Sequence, residues 1–81
     1  MIRFTDIGWN DYTNWADDRK VLTRINRMIE EADRDSGVGI GKPERLSGNM
    51  AGCLFRRIDL EHRLVYKVID GDLLALEASR S

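Results

Sequence analysis

Three side chains between Gly41 and Tyr66, in GKPERLSGNMAGCLFRRIDLEHRLVY, have the chemistry to act on a phosphodiester: Glu44, Arg57 and Arg63. Successive side chains of a strand point to opposite faces, so Arg57 parts from Arg56, and Arg63 from His62 and Leu64. If the chain turns at Leu60, Arg57 and Arg63 lie opposite each other on one face. Like charges directly opposite are destabilising, and a phosphate held by two planar guanidinium forks would relieve the repulsion. A carboxylate close by, Glu44, could then take the proton of a ribose 2′-hydroxyl while the arginines stabilise the charge growing on the phosphate. These parts suffice for RNA cleavage by internal transfer, without a metal. Plainer readings stand beside this one: Glu44 as a solvated loop charge, Arg56 and Arg57 as a solvated edge pair, Lys42 and Arg45 as generic phosphate contacts.

The charge balance of the 81-residue chain has the same centre. Its net charge of −1 argues on its face against a nucleic-acid partner. The signs are segregated, however: residues 42–67 hold six Lys/Arg against three Asp/Glu, and the flanks are acidic. The middle can meet phosphate while the flanks meet something basic. One cysteine, Cys53, allows no internal disulfide, and with one histidine there is no zinc ligand set. Cys53 reads as a small buried side chain. No stretch approaches the roughly 18 to 20 apolar residues that span a bilayer, and Met1 to Asn10 lacks the order of a signal peptide. The expectation is one folded cytosolic domain, residues 1–81, with no membrane partner.

The elements that must position these groups read as follows. Met1 to Thr5 is a short strand, and Thr5 or Asp6 caps a helix over Ile7 to Ala16 with Trp9, Tyr12 and Trp15 inward and Asn10, Asp11 and Asn14 outward. Asp17 or Asp18 caps a second helix, whose stripe of Val21, Leu22, Ile25, Met28, Ile29 and Ala32 runs over three turns. Three glycines in SGVGIG end it, Lys42 before Pro43 is expected to be extended, and Ser36 to Gly52 reads as a long loop. Cys53 to Ile58, Glu61 to Val68 and Asp72 to Ala78 read as strands, the last two joined by the turn signal Asp70-Gly71. The predicted fold is α+β: an N-terminal strand, a two-helix hairpin on one sheet face, then a three-stranded antiparallel meander. His62 falls on the face opposite Arg63 and reads as a structural histidine, and Glu61 as a strand-end carboxylate.

The run GKPERL, then Gly52, RRI and EHRLVY, with Trp9, Asp11, Tyr12 and Trp15 in the first helix, resembles the YoeB (Txe) branch of the RelE/ParE toxins over nearly the whole chain. The resemblance implies a RelE-like microbial RNase fold and a ribosome-dependent endoribonuclease that cuts messenger RNA in the A site. It implies a YefM-like antitoxin and a homodimer, and no metal or cofactor. Carried over by motif, Glu44 is the general base, Arg63 holds the scissile phosphate and Arg57 assists it. Lys42 and Arg56 are implied contacts to the RNA backbone.

Two departures bear on this. The family's sequences end in a His-Tyr pair whose histidine serves as general acid, and neither residue follows Arg80-Ser81 here. Ser47 stands where relatives often have lysine, so it brings no charge to RNA. Two other functions follow from the same residues: a ParE-like toxin that acts on DNA gyrase without catalysis, and a silent module that binds antitoxin or RNA. Glu44 together with both arginines favours the nuclease, since gyrase binding needs no base.

Overall fold

A computed structural model describes residues 1–80, with side chains through Ala78. In chain order the elements are β1 (Ile2–Phe4), α1 (Asp6–Asn14), α2 (Arg19–Arg34), β2 (Glu44–Arg45), a 3-10 turn (Gly48–Met50), β3 (Leu54–Arg57), β4 (His62–Ile69) and β5 (Asp72–Arg80). The α+β class and the helical hairpin are as expected. The sheet is larger than the predicted meander and mixed, with order β1-β5-β4-β3-β2. β1 runs parallel to β5, and the loop ahead of β3 contributes the two-residue edge strand β2.

Each helix begins where a side chain can satisfy a free amide. Thr5 accepts from Gly8 N–H at 2.9 Å and Asp18 accepts from Val21 N–H at 3.1 Å. The stripe of α2 buries Ile25, Met28, Ile29 and Ala32 against Leu54, Ile58, Leu64, Tyr66, Leu73, Ala75 and Ala78 of the sheet. Each large apolar side chain so buried contributes about 1.5–3 kcal/mol. Tyr12 of α1 and Trp15 at its C-terminal end pack against the same cluster, so both helices cover one face and neither covers the other. Trp9 is 54% exposed and stacks on Tyr12 at the rim instead of filling the core.

α1 also completes an edge. β1 pairs with β5 only from Leu73 to Ala75. Beyond that point Thr5 Oγ1 donates to Leu76 O, Asp11 accepts from Ala78 N–H at 3.1 Å, and Trp15 Nε1 donates to Ala78 O at 2.6 Å. Asp11, expected to point away from the core, faces the sheet because those backbone groups need partners. The helix comes close enough only because position 8 is glycine: a Cβ there would stand 2.4 Å from Ala75 O.

The β4 to β5 hairpin closes through Asp70 and Gly71, both at positive φ (51° and 82°), as a two-residue mirror-image turn requires. Between β3 and β4, Asp59 accepts from the backbone N–H of Glu61 and of His62.

Candidate active site

The helix-free face of the sheet carries the groups singled out for chemistry. Arg57 sits directly opposite Arg63 across β3 and β4, as alternation around the Leu60 turn predicts. One residue pair further along that face, Phe55 lies opposite Val65. The Phe55 ring is a shared platform: the Arg57 guanidinium lies 5.6 Å and that of Arg63 5.4 Å from its centroid. The negative ring face attracts both cations and tempers their repulsion. Arg63 Nε is buried and has no hydrogen-bond partner among the described residues, an uncommon state for a buried donor.

Glu44 belongs to β2 rather than to a loop, and its register partner is Phe55. It therefore lies beside the platform on which the two arginines rest. Its carboxylate is exposed and makes no hydrogen bond or ion pair among the described residues. Three charged groups with no ion pair among the described residues can serve, on one face, a ligand with an acidic proton and a negative charge.

Arg56 does not belong to this face, and the expectation that it touches RNA backbone is corrected. It alternates inward with Leu54 and Ile58 and is 0% exposed. Its Nε donates to Tyr66 Oη at 2.9 Å, Nη1 to Ile40 O, and Nη2 to the carbonyls of Asp35, Ser36 and Val38. Tyr66 Oη in turn donates to Ser36 O at 2.6 Å. Burial without such partners would be costly for a guanidinium, so the chain wraps its own carbonyls around it. Burial pushes the Tyr66 hydroxyl above its usual pKa, with the Arg56 hydrogen bond and charge acting the other way.

This clamp fixes the loop that delivers Glu44. Arg57 N–H donates to Gly41 O at 2.7 Å, and Glu31 accepts from Ile40 N–H at 3.2 Å. A Cβ at Gly39 would lie 2.5 Å from Arg56 Nη1. Lys42 is not extended: its φ is 51°. The loop must double back for its carbonyls to face Arg56, and Pro43 disfavours the right-handed helical conformation at the residue before it. Lys42 is exposed two residues ahead of Glu44.

His62 occupies the helix-covered side. Its Nδ1 lies 2.8 Å from Asp59 Oδ1, and Trp15 meets its ring edge-on at 4.9 Å between centroids. Desolvation pushes the Asp59 carboxyl up, but hydrogen bonds from Glu61 N–H and from the ring and backbone of His62, with the charge of His62, bring it below its ordinary value. Cys53 is buried, and no group of His, Cys, Asp and Glu among the described residues could hold a metal ion. The expected departure after Ser81 lies outside the described residues.

Phe55 escaped the sequence reading although its alternation with Arg57 was available to find it. Arg56 carried a signal too, since it lies between Leu54 and Ile58 in a strand of period two.

Two helices over one face of a five-stranded mixed sheet, with the arginine pair on the other, make this a RelE/YoeB-like toxin fold. The family described as YoeB-like toxin of bacterial type II toxin-antitoxin system matches residues 4–80, and the chain belongs to that family. It is 53% identical over 78 residues to Toxin YoeB of Streptomyces coelicolor, covering 95% of this chain and 93% of that one. The toxin chain in a heterotetrameric YoeB-YefM toxin-antitoxin complex from Staphylococcus aureus superposes with a TM-score of 0.92 at 36% identity, covering 100% of this chain and 95% of the other. A YoeB dimer from the same organism gives 0.88 at 36% identity, with 99% and 94% covered.

Proposed function

We propose that this toxin is a ribosome-dependent endoribonuclease that cuts messenger RNA in the A site and so stops translation. The observation that carries the reading is the helix-free-face constellation: Glu44 beside a phenylalanine platform that holds Arg57 and Arg63 together, with neither Glu44 nor Arg63 Nε partnered among the described residues. In the proposed reaction the Glu44 carboxylate takes the proton of a ribose 2′-hydroxyl. The 2′-oxygen forms a bond to phosphorus, the bond from phosphorus to the 5′-oxygen breaks, that oxygen takes up a proton from water, and a 2′,3′-cyclic phosphate remains. Arg63 holds the scissile phosphate and Arg57 assists, each offering donors where negative charge develops. Lys42 adds a contact to the RNA backbone. The nucleophile belongs to the substrate, so the scheme needs neither metal nor cofactor.

The Staphylococcus aureus relatives support two further parts of the reading. One is captured with YefM and the other as a dimer. By that analogy this chain is held inactive by a YefM-like antitoxin and pairs as a homodimer through its helical faces. A cytoplasmic site of action goes with a ribosomal target.

The test is messenger RNA cleavage on programmed ribosomes by three proteins: this chain, the chain with His-Tyr appended after Ser81, and the longer chain carrying Glu44→Gln. Cleavage that is strongest in the extended chain and falls by about 10²–10⁴ on the substitution supports the reading. If none of the three cuts while all still bind antitoxin, the enzyme reading is rejected.

A further inference from the structure

One irregularity of the sheet adds a second carboxylate to the candidate site. In a strand of unbroken alternation Ala75 and Glu77 would share a face, which would drive Glu77 under the helices. The register instead steps from Tyr66 opposite Ala75 to Val65 opposite Glu77, two residues on β5 for one on β4, so Leu76 is an extra residue. Ala75 and Ala78, 1% and 2% exposed, both stay in the core cluster, and Leu76 and Glu77 lie between them outside it. This bulge turns Glu77 onto the face of Val65, Arg63 and Arg57. Bulges re-aim side chains in this way beside functional sites.

On that face Glu44, Phe55, Val65 and Glu77 form one row over β2, β3, β4 and β5. The two carboxylates stand three strand spacings apart, about 14 Å. Arg57 opposite Arg63 forms the neighbouring row, and Arg63 faces Ser79 on β5. Glu77 is thus a diagonal neighbour of Arg63, at a typical separation of about 7–8 Å. It is partly buried and makes no hydrogen bond or ion pair among the described residues. A phosphate on the arginines leaves it unexplained, since like charges repel. An ionised carboxylate has only acceptors, so its natural ligand is a group rich in N–H donors. A nucleobase attached to that phosphate is such a group. Guanine offers two parallel donors, N1–H and the 2-amino group, to a carboxylate's two oxygens, whereas adenine, cytosine and uracil each offer a single donor group on that edge.

We propose that Glu77 reads the Watson–Crick edge of a guanine whose phosphate lies on Arg57 and Arg63, making it a specificity-determining residue. The inference rests on the phosphate-binding part of the proposed function and needs no cleavage to be tested. Calorimetry on the unaltered protein should show guanosine 3′-monophosphate binding about tenfold more tightly than adenosine 3′-monophosphate. Inosine 3′-monophosphate, which lacks the 2-amino group, should lose most of that advantage. Glu77→Gln and Glu77→Ala, checked for an unchanged thermal melt, should bind the guanosine and adenosine forms alike. Equal binding of guanosine and inosine forms, or no guanosine preference at all, overturns the proposal, as does a preference that survives both variants. A Glu77-dependent preference in a protein that never cuts ribosome-bound RNA would keep this inference and sink the nuclease. Cleavage with no such preference would do the reverse.

Discussion

Arg57 and Arg63 share Phe55 as a floor, and the ring does what a counter-ion would do without taking up the donors. Their forks stay available for a phosphate. Arg63→Lys keeps the charge but loses the planar fork and much of its fit over the ring. It is expected to lower single-turnover cleavage on ribosomes by at least tenfold while the thermal melt stays within a few degrees. Phe55→Leu should weaken RNA binding by a smaller factor, because one cation–π contact at an open site contributes about 0.5–1 kcal/mol. If Phe55→Leu leaves binding unchanged, the ring is filler and not a platform. Alternation alone was enough to put Arg57 opposite Arg63. The same rule, applied to Leu54, Arg56 and Ile58, would have turned Arg56 inward, and the lure of two adjacent arginines obscured it.

At the scale of elements, the loop between α2 and β2 is held by three side chains, two from the sheet and one from α2. Arg56 gathers four of its carbonyls, Tyr66 shares Ser36 O, and Glu31 holds Ile40 N–H. Tyr66→Phe removes two hydrogen bonds around a buried guanidinium and should cost about 1–3 kcal/mol in urea unfolding. A change under about 0.5 kcal/mol would show that the clamp is not a stability element. Glu31 makes the loop sensitive to acid. Desolvation raises its pKa, but the Ile40 amide, the Arg27 hydrogen bond and charge, and the charge of Arg56 bring it below the ordinary value. A carboxyl depressed in the folded state contributes stability above its unfolded pKa, about 4.3, and that stability is lost as pH falls through the lower folded value. The stability gap between this protein and Glu31→Gln should therefore be present at pH 7 and shrink below about pH 4. A gap that stays constant with pH would refute the ionic latch. None of this was legible in SGVGIG, whose glycines announce a turn but not what the turn encloses.

For the whole molecule, elements with a repeated pattern were legible, and pairings between distant segments were not. α2 was legible because six apolar residues repeat at helical spacing behind a capping aspartate, and the β4 to β5 hairpin because Asp70-Gly71 suits only one kind of turn. β2 was not, since two residues carry no period. The place of β1 was hidden for another reason: its partner is more than 70 positions away in sequence. Nothing in Ile2 to Phe4 distinguishes pairing with β5 from pairing with any other edge. Its role is nonetheless large, because β1 and the start of α1 cover the flank of β5. Deleting residues 1–5 should bare that flank and abolish cooperative unfolding in a calorimetric melt. A retained sharp transition would show that α1 alone suffices.

The same arrangement bears on the timing of synthesis. Of the five strands β5 is made last, yet it lies between β1 and β4 and supplies the carbonyl and amide that Trp15 and Asp11 grip. Until it emerges, the first strand and helix have no sheet to join, and the row behind Arg63 is missing. Early segments must wait for β5, in contrast to chains whose first half folds while the second is still being translated. A protein whose proposed target is the translating ribosome is thus put together only once β5 has left its own ribosome.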